Sequence, residues 1–549
     1  MKRQRIRPLF LSFATGSLCL VVFLQPGTFG SASGVRTGGI FRISLAPQAG
    51  LDNIDSALSF TAPGWALIDT TCARLMIYPD RPPPAGFRVV PEVAARFPKI
   101  SRDLKSFTFT LRRGFRFSDG APVRASAFAR AINRMLAPSM KSPGALFTRD
   151  IVGAADVLSG RREAATGVIA RGNTLVVRFT RPAPGFPTLT TLPFFCAVPP
   201  TLPIDPEGVG VFPTAGPYHV TDYRPGERLV LRRNPFYRGK RPHHVDGFDV
   251  DLGAPSPSEE IRRIEQGEAD WGYNLAGVFL DPALGLEQKY GINRSQFFLK
   301  PGLTLRMFAF NSSRPLFRNN PRLRRAVNFA LDRRALQTTA GGPLAGRVTD
   351  QYLPPLVPGF RNARIYPLGR PDAHKAKELA HGSLRGGKAV LYTSNIPLAI
   401  AAAQLAKQQL DEIGLRVEIK PIPFHAASAA YLDLLAAHSE PWDMALVLWT
   451  PNLPDPEAYI NLLLDTHHIG ATNLSRFSST GYDREMRRAE RLPQARARNR
   501  AYGVLDVRLA RDAAPLAALS IVNEATFVSK RVGCVVLRPG LDLTAVCLK

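Results

Sequence analysis

Residues 107–120 read FTFTLRRGFRFSDG, a stretch with a clear strand-and-turn pattern. Phe107, Phe109 and Leu111 alternate with threonines, which is the period of two expected of a strand that buries one face. Residues 115–120 then form a turn that closes on an Asp-Gly pair. The stretch therefore predicts a strand that leads into a tight turn.

The pattern outside this stretch alternates between strands and helices. A helix starts near Ser126, because Phe128, Ile132 and Met135 recur at helical spacing. Further strands are predicted at 39–45, 175–179, 228–232, 306–310, 415–422 and 444–448, and further helices at 259–267, 322–332 and 400–413. The alternation has no fixed repeat length, and this indicates interleaved α/β domains.

Size and charge limit the function classes. The 549 residues are 45% hydrophobic and 21% charged, which suits two or three packed domains. The net charge of +27 raises nucleic acid as a partner. However, arginine is spread along the whole chain, so we expect a generally basic surface that favours anionic surroundings or ligands, and no nucleic-acid partner.

The N-terminal segment has the features of a secretory signal. Basic residues stand at 2–7, an apolar run covers 9–24, and small residues follow as far as 33. We predict a signal peptide over residues 1–33 and a mature protein in the periplasm or outside the cell. A retained membrane anchor is the alternative, since the apolar run is close to the ~17 residues that span a bilayer.

Four cysteines follow the signal segment: Cys72, Cys196, Cys534 and Cys547. An even number in an oxidising compartment permits disulfides, and the near pair Cys534 and Cys547 is favoured. The sequence leaves the connectivity open. The spacing does not match a zinc site.

No motif for catalysis or metal binding is present. The chain lacks a phosphate-binding loop, a Gly-x-Ser-x-Gly elbow and a zinc-protease motif. The adjacent pairs 243–244 and 467–468 are histidines, but neither has a further ligand at helical spacing. We therefore predict no catalytic residue, no metal and no cofactor.

Two tryptophans are candidates for ligand contact. Trp449 opens the turn WTPNLPDP at 449–456, and Trp65 also lies beside turn residues. An indole in a cleft offers a large apolar wall and one N–H donor. A role in the hydrophobic core is the alternative for each of them.

Several ordered motifs resemble a known family. They are VPEVA at 90–94, the stretch 107–120, AGPY at 215–218 with PGE at 225–227 and RNPFY at 233–237, and FN at 310–311 with the basic helix that follows. In this order over most of the chain, they resemble the family 5 extracellular solute-binding proteins. Members of that family are the dipeptide- and oligopeptide-binding receptors of ABC importers.

The resemblance implies an α/β fold of two lobes, the class II periplasmic-binding-protein fold, with an additional domain packed on the first lobe. Lobe I would comprise 38–60, 205–300 and 506–549, the additional domain 61–204, and lobe II 301–505. The lobes would close on a peptide or small solute and deliver it to a permease with its ATPase subunits. We expect a monomer that meets the membrane only through that permease.

The resemblance also implies a ligand set: Trp449, Thr450, Asn452, Trp65, Thr393 and Asn395. Asn452 stands where peptide-binding relatives carry an aspartate that pairs with the peptide's ammonium group. The turn with Thr393 and Asn395 lacks the arginine that dipeptide receptors offer to the carboxylate. A dipeptide is therefore disfavoured, which leaves a longer peptide held by its backbone or a non-peptide solute. A surface interaction protein that keeps the fold but has lost its ligand is a further alternative.

Overall fold

The computed structural model describes residues 36–46, 51–272, 280–423, 428–437, 441–538 and 540–549. The predicted signal peptide, 1–33, lies entirely within 1–35 and so outside these residues. Among the helices that are described, none combines the length and the apolarity needed to cross a bilayer.

Strands and helices alternate along the chain, as predicted, and each predicted element has a counterpart. The strands are β1 (Ile40–Ser44), β2 (Met76–Ile77), β3 (Val90–Pro91), β4 (Lys99–Ile100), β5 (Ser106–Thr110), β6 (Val168–Arg171), β7 (Thr174–Arg178), β8 (Tyr218–Arg224), β9 (Arg228–Arg233), β10 (Gly247–Asp251), β11 (Phe297–Phe310), β12 (Gly346–Val348), β13 (Lys388–Ser394), β14 (Arg416–Ile422), β15 (Met444–Trp449), β16 (Leu516–Phe527), β17 (Val532–Cys534) and β18 (Cys547–Leu548). The helices are α1 (Ala62–Thr71), α2 (Ala125–Leu136), α3 (Ala154–Leu158), α4 (Phe186–Leu189), α5 (Pro257–Glu265), α6 (Leu280–Tyr290), α7 (Pro321–Ala330), α8 (Arg333–Thr339), α9 (Gly342–Ala345), α10 (Ala373–Ala380), α11 (Pro397–Asp411), α12 (Ser428–Ala436), α13 (Glu457–Leu464), α14 (Thr480–Glu490) and α15 (Ala495–Arg508).

The stretch at 107–120 forms the strand and turn that its pattern predicts. Strand β5 lies in a four-stranded sheet of order β4-β5-β7-β6, and Phe107 and Phe109 are fully buried in the core between this sheet and α2. Gly120 in the turn has a φ of +87°, which suits glycine because it carries no Cβ. We call the apolar residues around this sheet the first core.

A second four-stranded sheet has the order β1-β10-β9-β8, with β1 parallel to β10. Its apolar face packs against residues from the C-terminal segment, including Val532 and Leu548. In that segment a disulfide joins Cys534 to Cys547, the pair that the sequence favours. A second disulfide joins Cys72 to Cys196, which are 124 residues apart in the chain.

A six-stranded sheet has the order β12-β16-β11-β15-β13-β14 and buries both faces. Strand β11 starts nine residues before the predicted strand at 306–310. It pairs along most of its length with β16, which comes from the segment 506–549. Strands β13 and β15 run parallel to each other. The predicted lobe boundaries themselves stay a prediction.

A fully buried ion pair ties α2 to the chain before α1. Arg134 Nη1 and Nη2 lie 2.9 and 2.5 Å from the two carboxylate oxygens of Asp55. Both side chains are inaccessible to solvent. Arg134 Nε also donates to the carbonyl of Pro203, and the Val209 N–H donates to Asp55. The pair therefore connects three separate segments.

We expect Asp55→Ala to lower the free energy of unfolding by about 3–5 kcal/mol, because it leaves the Arg134 charge buried and unpaired. Urea unfolding of the oxidised protein measures this. The matched control is Asp222→Ala, whose carboxylate is 40% exposed and 3.9 Å from Arg224. That change should cost less than about 1 kcal/mol. Equal losses in the two variants would contradict the assigned role of Asp55.

Candidate functional site

Trp449 ends strand β15 and is a core residue. Its ring is 9% exposed and packs in the cluster on one face of the six-stranded sheet. The indole Nε1–H donates to the Ala458 carbonyl at 2.9 Å, on helix α13. The donor that the sequence assigns to a ligand is thus used within the protein, where it fixes the turn at 450–456 to that helix.

Thr450 and Asn452 follow Trp449 and are both exposed. The Thr450 hydroxyl lies 2.9 Å from the hydroxyl of Thr304. Thr304 is on β11, the strand that pairs with β15. The Asn452 side chain makes no hydrogen bond to any of the described residues. Its amide therefore faces solvent with its donors and acceptor available.

Thr393 and Asn395 lie at the carboxyl end of β13. Because β13 and β15 are parallel, their carboxyl ends meet at the same edge of the sheet. Thr393 is fully buried, and its hydroxyl has no partner in the described part of the chain. The Asn395 side chain is exposed, while its backbone N–H donates to Ile422. Five of the six predicted residues therefore share one edge, which we call the carboxyl edge.

Trp65 comes from α1, outside the six-stranded sheet, and is half-buried. Its Nε1–H donates to the Ser59 carbonyl at 2.8 Å, and its ring meets Phe60 and Phe194 edge-on at 5.8 Å. Leu453 in the turn after Trp449 packs against the same first core as Trp65. The turn thus brings the carboxyl edge against the other part of the molecule.

Arg498 holds this turn, and the sequence patterns did not identify it. It lies on α15, and its Nη1 and Nη2 are 2.8 and 2.9 Å from the two oxygens of Asp455. Nη2 is also 2.6 Å from Glu457 Oε2. Burial opposes the charge of Arg498, but Asp455 and Glu457 outweigh it and raise the pKa of the guanidinium. The two acidic residues of DPE at 455–457 could have indicated a basic partner. That partner, Arg498, is more than 40 residues away in the sequence, so no local pattern identifies it.

The Glu457 carboxylate also lies close to a segment that contributes to the first core. A methyl group on Gly185 would stand 3.4 Å from Glu457 Oε2, so the Glu457 carboxylate lies close to the backbone at Gly185. Glu490 at the end of α14 is half-buried. Its burial, and then the negative charge of Glu457, raise the pKa of Glu490 to about 7, while Arg181 acts in the opposite direction. The carboxyl of Glu490, which titrates near neutral pH, therefore lies near the charged residues Glu457 and Arg498 that hold the turn.

Three carboxylates form the one candidate metal cluster in the described ranges: Asp69, Asp80 and Asp542. Guanidinium groups already occupy this cluster. Arg241 Nη2 is 2.6 Å from Asp69 and 3.0 Å from Asp80, and Arg538 Nη2 is 3.0 Å from Asp69. Burial alone would raise the pKa of Asp69, but the arginines hold it well below its usual range. The cluster is an internal ion network that joins α1 to the C-terminal segment.

A surface groove of about 330 Å³ lies between α5 and α6, and Ile261, Glu265, Leu286 and Lys289 are among its lining residues. None of the predicted ligand residues lines it. Lys289 Nζ donates to Glu265 at 2.8 Å, and the Tyr290 hydroxyl donates to the same oxygen at 2.9 Å. Two polar residues that line the groove, Lys289 and Glu265, therefore bind each other.

Comparison with known proteins identifies the fold and its relatives. The model of the bacterial extracellular solute-binding proteins, family 5, matches residues 88–471. The periplasmic oligopeptide-binding protein OppA of Escherichia coli K12 is 26% identical over 468 residues, 81% of each chain. The probable D,D-dipeptide-binding protein DdpA of the same strain is 25% identical, over 83% of this chain and 84% of the relative.

Solved structures are similar over almost the whole chain. The clavulanic acid biosynthesis oligopeptide binding protein 2 has a TM-score of 0.84 at 24% identity, over 93% of this chain and 96% of its own. The open, unliganded murein tripeptide binding protein MppA has a TM-score of 0.74 at 20% identity, over 94% and 99%. The two-lobed binding-protein fold predicted from the resemblance is confirmed by these likenesses.

The raised pKa of Glu490 gives a stability that depends on pH. Between about 4.5, its ordinary value, and about 7, the folded state holds a proton that the unfolded state has lost. The contribution of Glu490 therefore becomes less favourable as the pH rises through this window. We expect Glu490→Gln to match the wild type near pH 4 and to be about 1–3 kcal/mol more stable at pH 8.

Urea unfolding at a series of pH values measures this difference. The matched control is Glu485→Gln on the same helix, since that carboxylate is 41% exposed in its pair with Arg508. A Glu490→Gln profile that runs parallel to the control would contradict the role given to burial and Glu457.

Proposed function

Because the chain belongs to family 5 of the bacterial extracellular solute-binding proteins, we propose that it captures a peptide or related small solute outside the cytoplasm and delivers it to an ABC importer. The family predicted from the sequence motifs is confirmed by the match over residues 88–471. Curated relatives at 24–26% identity carry names of oligopeptide- or dipeptide-binding proteins. The mode of capture would be closure of the lobes about the ligand.

The observation that carries this proposal is the position of the turn at 450–456. It follows the carboxyl edge of the six-stranded sheet, and its Leu453 packs against the first core, which belongs to another sheet. Ligands of open α/β sheets bind outside the carboxyl ends of strands. A solute at this edge would therefore contact both parts of the molecule.

We place the ligand against Thr450, Asn452, Thr393 and Asn395, with Trp449 bracing the turn and Trp65 on the opposite side. Asn452 offers an amide oxygen and no negative charge, so it suits a backbone N–H better than a free ammonium group. This favours a longer peptide, or a non-peptide solute, over a dipeptide. No catalytic step is included in the proposal.

The proposed partners are the permease and ATPase subunits of the importer. Relatives described as periplasmic support a location in the cell envelope. In this proposal the signal peptide is cleaved, the protein acts as a monomer, and it meets the membrane only through the permease.

A ligand should stabilise the folded protein, because it binds the native state alone. We expect members of a peptide and nutrient library to raise the midpoint of thermal unfolding. Ligand at about 100 times its Kd adds about 2.7 kcal/mol. Silence across a broad library, with well-folded protein, would instead favour a surface interaction protein that has lost its ligand.

The charge at position 452 should control recognition of amino termini. We expect Asn452→Asp to improve the affinity for free-amino peptides relative to N-acetylated ones by about five- to tenfold, because it makes the hydrogen bond charge-assisted. Calorimetric titration with paired peptides measures the ratio. Asn319→Asp, an exposed asparagine before α7, is the control. An unchanged ratio in Asn452→Asp would show that Asn452 does not contact the amino terminus.

A further inference from the structure

Arg306 lies on β11, in the interior of the six-stranded sheet. It is directly opposite Leu448 on β15 and Ser520 on β16. Opposite residues of antiparallel strands point to the same face, so Arg306 and Leu448 lie side by side. Leu448 is the residue before Trp449, which places the pair at the carboxyl edge.

The face can be assigned by alternation along each strand. Phe308 and Leu446 are buried in the core formed with α7 and α11, and Arg306 and Leu448 lie two residues beyond them towards the edge. Leu448 is 50% exposed, so the face is open at this point. Thr393 lies two residues beyond Leu391 of the same core, and it carries the buried hydroxyl without a partner.

Arg306 has no partner in the described part of the chain. It forms no hydrogen bond, ion pair or ring contact there, and its Nε is closed off from solvent without an acceptor. Burial lowers the pKa of the guanidinium, and no described charge opposes that effect.

Arg306 is half-buried, whereas several more deeply buried arginines have partners. Arg134, Arg241 and Arg498 bind carboxylates, and Arg324 and Arg333 donate to carbonyl groups. A partly buried cation without a partner at the carboxyl edge is a cost to the empty protein. The group that would remove this cost is an anion with two acceptor oxygens, because a guanidinium matches a carboxylate through two parallel hydrogen bonds.

We propose that Arg306 anchors a carboxylate of the captured solute and that Leu448 receives an apolar group next to that carboxylate. The ligand class is then an acid with an adjacent aliphatic group, such as the free carboxyl terminus of a peptide that ends in leucine or valine. This inference rests on the proposed receptor function and names the chemistry of its ligand. It also supplies a cation that the turn at Thr393 and Asn395 lacks.

The test uses the full mature chain and two tetrapeptide libraries with aliphatic C-terminal residues, one of free acids and one of C-terminal amides. Retained peptides are counted by mass spectrometry, and affinities are measured for the best acid and its own amide. We expect the wild type to prefer the acid by about 10–100-fold, the range for a hydrogen bond to a charged group. Arg306→Gln should abolish most of this preference, and Arg306→Lys should keep part of it.

Arg325→Gln is the matched control, because Arg325 on α7 also has a buried Nε without a partner. It should keep the wild-type preference. Arg306→Gln should unfold at the same urea concentration as the wild type or at a higher one, since it removes an unpaired charge. If Arg306→Gln is destabilised and binds neither the acid nor the amide peptide, Arg306 has a structural role and the inference is overturned.

Two further outcomes separate the inference from the function on which it rests. If the wild type binds acids and amides equally, or if Arg306→Gln leaves the preference intact, the inference is wrong and the receptor function stands. If the folded wild type retains no peptide from either library and no other solute stabilises it, the proposed function is wrong, and the inference with it.

Discussion

The link between the six-stranded sheet and the β1-β10-β9-β8 sheet depends on the pairing of strands β11 and β16. The chain continues from β16 to Val528, which bridges Trp271, and Trp271 in turn bridges Ile43 on β1. The β11–β16 register is interrupted between Pro301 and Leu305. There the strands approach so closely that a Cβ on Gly302 would lie 2.5 Å from a carbonyl oxygen. An interrupted ladder is where paired strands bend, and this interruption lies on the strands that lead from the six-stranded sheet towards the β1 sheet.

Arginine contributes to the fold in a way that explains part of the high net charge. Arg333 Nε donates to the Ala518 carbonyl at 2.8 Å, and Arg324 Nε donates to Ala513 at 2.9 Å. Burial lowers the pKa of each guanidinium to about 10. Both groups donate to backbone carbonyls and form no ion pair with a carboxylate of the described residues, although Asp350 acts on Arg333 from a distance. The basic composition therefore reflects the interior as well as the surface.

Local patterns predicted the elements, whereas long-range contacts could not be predicted. Residues 107–120 gave the strand and turn because burial alternates along the strand. Strand β11 was predicted only at 306–310, whereas the sheet accommodates the Pro-Gly pair at 301–302 as an irregularity within a longer strand. Trp449 was ambiguous because its environment, not its type, decides its role. The clamp by Arg498 depends on an ion pair across more than 40 residues, which no local pattern encodes.

The charges at the carboxyl edge link recognition to the conformation of the molecule. Asn452 provides no anion there, whereas Arg306 provides a cation without a partner. In the proposed role, a bound carboxylate removes the unfavourable burial of that cation, so the empty protein is less stable than the loaded one. Arg306 follows directly after the interruption between Pro301 and Leu305, on the strand that connects the sheets. A ligand shifts a conformational equilibrium only by its difference in affinity for the two states. An anchor next to the bend is well placed to create such a difference, because any bending there moves the guanidinium, together with its ladder partner Leu448, relative to the residues before Pro301.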